Sequence, residues 1–348
     1  MDLQRFVHEL PKAELHVHLE GTLEPGMVHM LAARNDINLP PTFQEAVAQG
    51  QDYNFNDLSS FLAVYYPAMS VLRESQDFYD LAYAFFLKCR EQNVVHVEMF
   101  FDPQAHTSRG VPFPTIMGGI RRAILQARAE LRIRVGLIMC FLRDMSAEFA
   151  MATLMDALPY KDWIVGVGLD SDERGNPPIK FQGVFERARK EGFMITAHCD
   201  PDQPDSIKHI QQCVEVIGVN RIDHGTNIVE DDRLIEIVRS KGLGLKTCPM
   251  SNMMLYADSK TTEIRQLMNR GVRVTINSDD PAYFHGYAEE NVTFMSKEAK
   301  FEAKELVALQ RNAFSIAWIS QASRDYYLEQ LDSFANMAGL NSRRQSLA

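Results

Sequence analysis

His16 and His18 stand two positions apart within the apolar run Leu15 to Leu19. In a strand, residues at that spacing point to the same face, so both imidazoles can reach a single metal ion. His198 follows another apolar run, Phe193 to Ala197, and Asp279 follows a third, Val272 to Asn277. Three neutral nitrogens and one carboxylate oxygen suit zinc and leave a coordination position for water. Such an ion brings the pKa of the water it binds from about 15.7 toward about 7. His224, in Arg221-Ile222-Asp223-His224-Gly225, is the candidate to take that water's proton. Each residue alone also has a plain structural reading. The histidines can be satisfied inside ordinary strands, Asp223-His224-Gly225 can be a turn, and Ser278-Asp279-Asp280-Pro281 is good turn and N-cap chemistry.

Position separates the two readings. Short β-rich apolar runs recur at Leu15 to Leu19, Val94 to Phe101, Val135 to Leu142, Ile164 to Leu169, Phe193 to Ala197, Arg221 to His224, Leu243 to Thr247 and Val272 to Asn277. Segments with helical periodicity or helix-start signals lie between them. Alternation of this kind implies parallel strands joined by right-handed crossovers, and eight units close a (β/α)8 TIM barrel of the α/β class. In that architecture the C-terminal strand ends share one rim, where active sites are built. His16, His18, His198, His224 and Asp279 all fall at or near such ends, so residues spread along the chain converge on one pocket.

About 75 residues separate the first two strands, where a βαβ unit needs about 30. The excess predicts a helical cap over about residues 22–92, with amphipathic helices at Asn56 to Leu72 and Asp77 to Cys89. The chain after Ala303 reads as extra C-terminal helices packed on the barrel. A single domain over 1–340 with a frayed tail at 341–348 is expected.

The formal net charge of -10 argues against attraction to nucleic acid or an anionic membrane. The longest apolar run, Val135 to Leu142, is far too short to cross a bilayer, and Met1 to Leu10 lacks the apolar segment of a signal peptide. The five cysteines include no Cys-x-x-Cys pair and suggest neither a disulfide framework nor a zinc ribbon. A cytoplasmic protein acting on a small molecule is the expectation, with homo-oligomerisation left open. Two further matches are discounted. His96-Val97-Glu98 has the His-x-Glu form of cytidine-type zinc deaminases, but no Pro-Cys-x-x-Cys accompanies it, and a strand-interior role is expected. The fourth strand ends Gly168-Leu169-Asp170-Ser171, without the lysine that bridges two metals in binuclear barrel hydrolases, which favours one metal per chain.

Six ordered motifs carry a family resemblance. They are Lys12-Ala13-Glu14-Leu15-His16-Val17-His18-Leu19-Glu20-Gly21-Thr22-Leu23-Glu24-Pro25, Phe100-Phe101-Asp102-Pro103-Gln104, Gly168-Leu169-Asp170-Ser171, Arg221-Ile222-Asp223-His224-Gly225, Cys248-Pro249-Met250-Ser251-Asn252 and Asn277-Ser278-Asp279-Asp280-Pro281. Together they resemble the adenosine/adenine/AMP deaminase family of the amidohydrolase superfamily, and its adenine deaminase branch most closely. The resemblance implies that His16, His18, His198 and Asp279 bind one Zn2+, that His224 orients or deprotonates the metal-bound water, and that Asp280 meets purine ring nitrogen 7. Adenosine-specific members carry an Asp after the His-x-His-Leu motif where this chain has Glu20. With Ser171, Gly168 and the Phe100 to Gln104 motif, this points to a free purine base as the partner. A family Glu near the pocket corresponds to Glu173.

One motif departs from the pattern. After the strand-five histidine the family has Ala-Gly-Glu, whose Glu shares a proton with ring nitrogen 1. This chain runs His198-Cys199-Asp200-Pro201-Asp202-Gln203-Pro204, with no Glu. Asp200 or Asp202 is left to supply the carboxyl group. An Asp is one methylene shorter, so the base must shift toward it, and adenines substituted on the exocyclic nitrogen join adenine as expected substrates. The rivals are an adenosine deaminase or another mononuclear amidohydrolase, a binuclear lactonase-like barrel, and a non-catalytic purine-binding relative.

Overall fold

The computed structural model describes residues 2–39, 55 and 57–340. Its strands are β1 (Lys12–His18), β2 (Val94–Phe101), β3 (Arg134–Leu142), β4 (Ile164–Asp170), β5 (Met194–Ile195), β6 (His198–Cys199), β7 (Arg221–His224), β8 (Gly244–Thr247) and β9 (Arg273–Ile276). All neighbouring pairs are parallel, in the orders β1-β2-β3-β4-β5 and β6-β7-β8-β9. β5 and β6 are two pieces of one barrel strand. The ladder runs through the break, because Thr196 N donates to Val167 O and Asp223 N to Ala197 O, each at 3.0 Å. The other seam closes where Val17 bridges Asp279, with Asp279 N donating to His16 O and His18 N to Asp279 O, each at 2.9 Å. The result is the eight-position TIM barrel expected.

The strands are buried on both faces, as parallel barrel strands must be. Along β1 every residue is buried. Ala13, Leu15 and Val17 join the large apolar core shared with the surrounding helices, while Lys12, Glu14, His16 and His18 take the alternate, inward direction. The barrel interior is correspondingly polar. Its apolar part is small, consisting of Phe100, Ile138 and Cys140 with Val165 and Trp318 packed against them.

Toward the N-terminal end of the strands the interior is a floor of paired charges. Arg221 Nη1 lies 2.5 Å from Glu98 Oε2, His96 Nε2 lies 3.0 Å from Glu98 Oε1, and Trp318 N donates to Glu98 Oε1 at 2.5 Å. His96 and Glu98 therefore occupy the strand-interior role expected of them. The Arg221 guanidinium stacks 3.7 Å over the Trp318 ring. Burial pushes the Glu98 carboxyl up, but Arg221 and His96 outweigh it and hold the group at about 2. Trp318 lies between the C-terminal helices Ala303–Ile316 and Gln321–Met337, so these elements plug the barrel as well as packing on it.

Of the segment expected as a cap, the helix Leu58–Ala68 lies at the mouth, where Leu58, Phe61, Leu62, Tyr65 and Tyr66 line a cavity. The helix Ser75–Glu91 instead packs against Phe113–Gln126 in the outer ring. Their approach is close enough that a Cβ at Gly119 would stand 2.2 Å from Ser75 O. The part of the cap between 40 and 54 and the tail 341–348 lie outside the described residues. Among the described residues no helix is long and apolar enough to cross a membrane.

Candidate metal and purine site

His16, His18, His198 and Asp279 meet at the rim, with one ligand atom from each lying within 4.8 Å of all the others. His18 Nε2 and His198 Nε2 are 3.2 Å apart, His16 Nε2 is 3.1 Å from Asp279 Oδ1, and His18 Nε2 is 3.5 Å from the same oxygen. The tautomer of His198 follows from its other nitrogen. Nδ1 lies 3.0 Å from the Leu169 carbonyl, which only accepts, so Nδ1 carries the proton and Nε2 presents a lone pair. His18 Nδ1 lies 3.5 Å from Asp170 Oδ2, which directs its ring in the same sense. Lone pairs facing each other beside a carboxylate are stable only around a cation, so this donor set fits a divalent metal. Two further groupings, His224 with Cys248 and Asp279, and His18 with Asp102 and Asp170, share a residue with this cluster.

A layer of supporting groups lies behind the donors. Asp223 Oδ2 is 3.4 Å from His198 Nδ1, Thr196 Oγ1 donates to Asp223 Oδ1 at 2.6 Å, and Lys246 Nζ lies 2.8 Å from Asp223 Oδ1. Burial raises the Asp223 carboxyl, and Lys246 together with His198 and His16 more than reverses it, leaving the group well below the usual range. Arg143, wholly buried, donates to His198 O at 2.9 Å and lies 3.3 Å from Glu173. Burial, reinforced by the neighbouring histidines, takes the His18 and His224 imidazoles down to about 4 and pushes His198 well below its ordinary value, so all three are neutral near pH 7.

Local backbone geometry turns these side chains into the mouth. Ser171, His224 and Asp279 all have left-handed backbone conformations, with φ of 74°, 57° and 64°. This region is unfavourable for residues with a Cβ, and such strain is characteristic of functional sites. His224 Nε2 lies 3.4 Å from Asp200 Oδ1 and 3.8 Å from Asp279 Oδ2. It thus sits between the donor cluster and the carboxyl group of Asp200.

The cavity over the cluster is lined by His18, His198, His224, Asp279, Asp280, Asp200, Asp102, Asp170 and Ser171, and roofed by the mouth helix with Leu255. Asp280 Oδ1 is buried without a protein hydrogen-bond partner among the described residues. Room for it depends on Gly21, where a Cβ would stand 2.1 Å from that oxygen. Burial, reinforced by neighbouring carboxylates, pushes Asp280, Asp200 and Asp102 well above the ordinary aspartate value. Asp170 is raised to about 7, chiefly by burial. Ser171 Oγ accepts from the Tyr66 hydroxyl at 2.7 Å.

Several expected positions lie elsewhere. Glu20 does not line the cavity; its Oε1 is 2.7 Å from His106 Nε2 and accepts from Asp102 N at 3.2 Å, which places it behind the wall. Gly168 also does not line it. It makes room for Cys140, whose Sγ would be 2.5 Å from an added Cβ. Asp202 is turned toward Gln203, whose Nε2 donates to it at 2.7 Å, and only Asp200 of the two enters the cavity. Glu173 accepts from Asp200 N at 2.8 Å and pairs with His209 and Arg143, so it braces the loop instead of facing the cavity. Asp102 and Asp170, quoted only as members of motifs, and Tyr65 and Tyr66 are cavity residues to which sequence reasoning assigned no role. The position of Asp102 just past β2, and of Asp170 at the end of β4, was the available signal.

A closed parallel barrel with three histidines and an aspartate gathered at its C-terminal rim is the arrangement of a metal-dependent amidohydrolase. Comparison with known proteins narrows this. The model of the family described as adenosine deaminase matches residues 11–334. A protein named as an uncharacterised deaminase in Schizosaccharomyces pombe is 49% identical over 336 residues, covering 96% of this chain and 98% of its own. The adenine deaminase of Acinetobacter baylyi is 45% identical, over 95% of this chain and 99% of its own. Among solved structures, the adenine deaminase from Arthrobacter aurescens is 36% identical and superposes with a TM-score of 0.89, covering 94% of this chain and 99% of that one. The chain belongs to the adenosine deaminase family.

Proposed function

We propose that the protein is a zinc-dependent hydrolytic deaminase of a 6-aminopurine base, releasing ammonia from adenine, or an amine from adenine substituted on the exocyclic nitrogen, to give hypoxanthine. The observation that carries this is the flanking of the metal-donor cluster by two buried carboxyl groups, Asp200 and Asp280, both held toward the protonated form. Purine ring nitrogens 1 and 7 are acceptors on either side of carbon 6. A protonated carboxyl group is the donor each of them needs. The high identity to proteins named adenine deaminase supports the same base.

His16, His18, His198 and Asp279 would hold the ion, which supplies Lewis acidity and makes hydroxide available near neutral pH. Asp280 donates to ring nitrogen 7 and orients the base. His224, neutral because it is buried, accepts a proton as the water oxygen adds to carbon 6. Asp200 delivers its proton to ring nitrogen 1 in the same addition. On collapse, His224 passes its proton to the exocyclic nitrogen, the carbon–nitrogen bond breaks, and the new hydroxyl group returns a proton to Asp200. Atoms and protons balance, and both residues recover their starting states. Glu173 and Arg143 act by holding the Asp200 backbone and the His198 carbonyl in place.

Leu58, Phe61, Leu62 and Leu255 give the cavity an apolar wall, which favours an alkyl group on the exocyclic nitrogen as a second substrate class. The five unpaired, buried cysteines suit a reducing, cytoplasmic compartment. The test is a panel of adenine, alkylated adenines, adenosine, guanine and cytosine followed by absorbance and ammonia or amine release, with bound metal counted. Turnover of adenine or its N-substituted relatives with about one zinc per chain is expected. A preference for adenosine would refute the free-base assignment, and purine binding without turnover would mark a non-catalytic relative.

A further inference from the structure

Around the barrel mouth, the cavity's acidic side chains fall into two arcs. Asp200 at β6, His224 at β7 and Asp280 after β9 form the arc assigned above to the reacting edge of the base. The opposite arc carries Asp102, just past β2, with Asp170 and Ser171 at the end of β4. Asp102 is 1% exposed and lines the cavity; its carboxyl group interacts with that of Asp170, and its Oδ1, like both Asp170 oxygens, has no further hydrogen-bond partner among the described residues. Its carboxyl group lies within 4.8 Å of that of Asp170. A buried polar oxygen left open at a cavity wall requires a partner, and none of the roles proposed above uses it.

The cyclic order of the ring nitrogens says which partner it meets. Round the perimeter of a purine the order is nitrogen 7, nitrogen 9, nitrogen 3 and nitrogen 1. Round the barrel, from the last strand through the first, the side chains occur in the order Asp280, Asp102, Asp170 with Ser171, and Asp200. With Asp280 on nitrogen 7 and Asp200 on nitrogen 1, the rotational setting of the base is decided, and its nitrogen 9 edge faces Asp102. We propose that Asp102 is the specificity residue that selects a free purine base: its carboxyl group accepts the N9–H hydrogen bond, and it turns away purines carrying a substituent at that nitrogen. Asp170 and Ser171 lie beside nitrogen 3 in this setting. Glu20 and His106 fix Asp102 from behind, since Glu20 Oε1 accepts from Asp102 N at 3.2 Å and lies 2.7 Å from His106 Nε2. This explains how Glu20 bears on base selection without touching the cavity.

The inference rests on the proposed deamination of a base. Its test compares kcat/KM for adenine and 9-methyladenine in the metal-loaded wild type and in Asp102→Ala, Asp102→Ser and Asp102→Asn. A site built to bond a substrate N–H rejects the analogue lacking it by about 10⁴-fold, and the wild type is expected to do so. In Asp102→Ala the preference should shrink to about 10²-fold or less, through loss of adenine activity and retention or gain of 9-methyladenine activity. Asp102→Ser is the second truncation, used if the alanine variant does not fold. Asp102→Asn keeps a carbonyl acceptor and should retain adenine activity within about tenfold. Equal losses for both substrates in the truncated variants would make Asp102 merely structural and overturn the inference. So would wild-type turnover of 9-methyladenine within tenfold of adenine, with deamination itself intact. Failure of the wild type on every adenine, by contrast, defeats the proposed function itself.

Discussion

The two ends of the barrel interior treat the same kind of residue in opposite ways. Below the mouth, Glu98 at the floor and Asp223 between floor and mouth are fully buried carboxylates held below their ordinary range, because Arg221, His96 and Lys246 stand against them. At the mouth, Asp102, Asp170, Asp200 and Asp280 are just as buried and are all raised, because their near neighbours are largely other carboxyl groups. Burial pushes every one of these groups upward, so the difference lies in the supply of cations. The floor completes its own charge balance within the protein. The mouth leaves its balance to be completed by a metal ion and by the donors and acceptors of a ligand, and a site kept open in this way lowers the stability of the empty protein.

The comparison breaks most visibly at the donor cluster. His18→Ala or Asp279→Ala is expected to abolish stoichiometric metal binding and reduce kcat/KM by about 10⁴-fold or more, read by metal analysis beside steady-state kinetics. Next comes the proton donor. Asp200→Asn should reduce kcat by about 10²- to 10⁴-fold while zinc stays bound, whereas Asp202→Asn stays within about threefold. If both substituted proteins remain fully active, the donor has been misassigned.

At the floor the effect moves from rate to stability. Glu98→Gln leaves Arg221 buried without its counter-charge and should destabilise the protein by about 3–5 kcal/mol in denaturant unfolding, with kcat for adenine little changed. Because the Glu98 carboxyl in the folded protein lies at about 2, below its ordinary 4.5, its stabilisation is fully present above about pH 4.5 and is lost as pH falls toward 2. The gap in melting temperature between wild type and Glu98→Gln should therefore narrow over that window. A gap that widens on acidification would contradict the pairing. A smaller effect is expected where floor and mouth meet. Asp223→Asn, which weakens the support of His198, should cost about 10- to 100-fold in metal affinity without unfolding the protein, measured by competition with a chelator.

Much of this division is visible in the residue string. The two-residue spacing of His16 and His18, and the placement of His198, His224 and Asp279 at the ends of apolar runs, depend only on strand periodicity and on the rule that barrel strand ends share a rim. The break between β5 and β6 was not visible, since Phe193 to Ala197 reads as one continuous apolar run. Glu20 and Gly168 were expected to face the ligand because they sit in chemistry-bearing motifs. A motif marks a neighbourhood and does not say on which side of the wall a side chain emerges. Asp102 and Asp170 also lie inside quoted motifs but were given no role of their own, because only the meeting of the two strand ends shows that their carboxyl groups face each other.

Periodicity, composition and motif order are local properties of the chain, and they were enough to determine the barrel, the gathering of His16, His18, His198 and Asp279 at its rim and the class of chemistry. The presence of Asp200 and not Asp202 at the cavity wall, the placement of Glu20 behind it and the confrontation of Asp102 with Asp170 belong to tertiary structure alone. They depend on side-chain direction and on which groups approach across the barrel, and a buried carboxyl group takes its protonation state from neighbours far away in sequence.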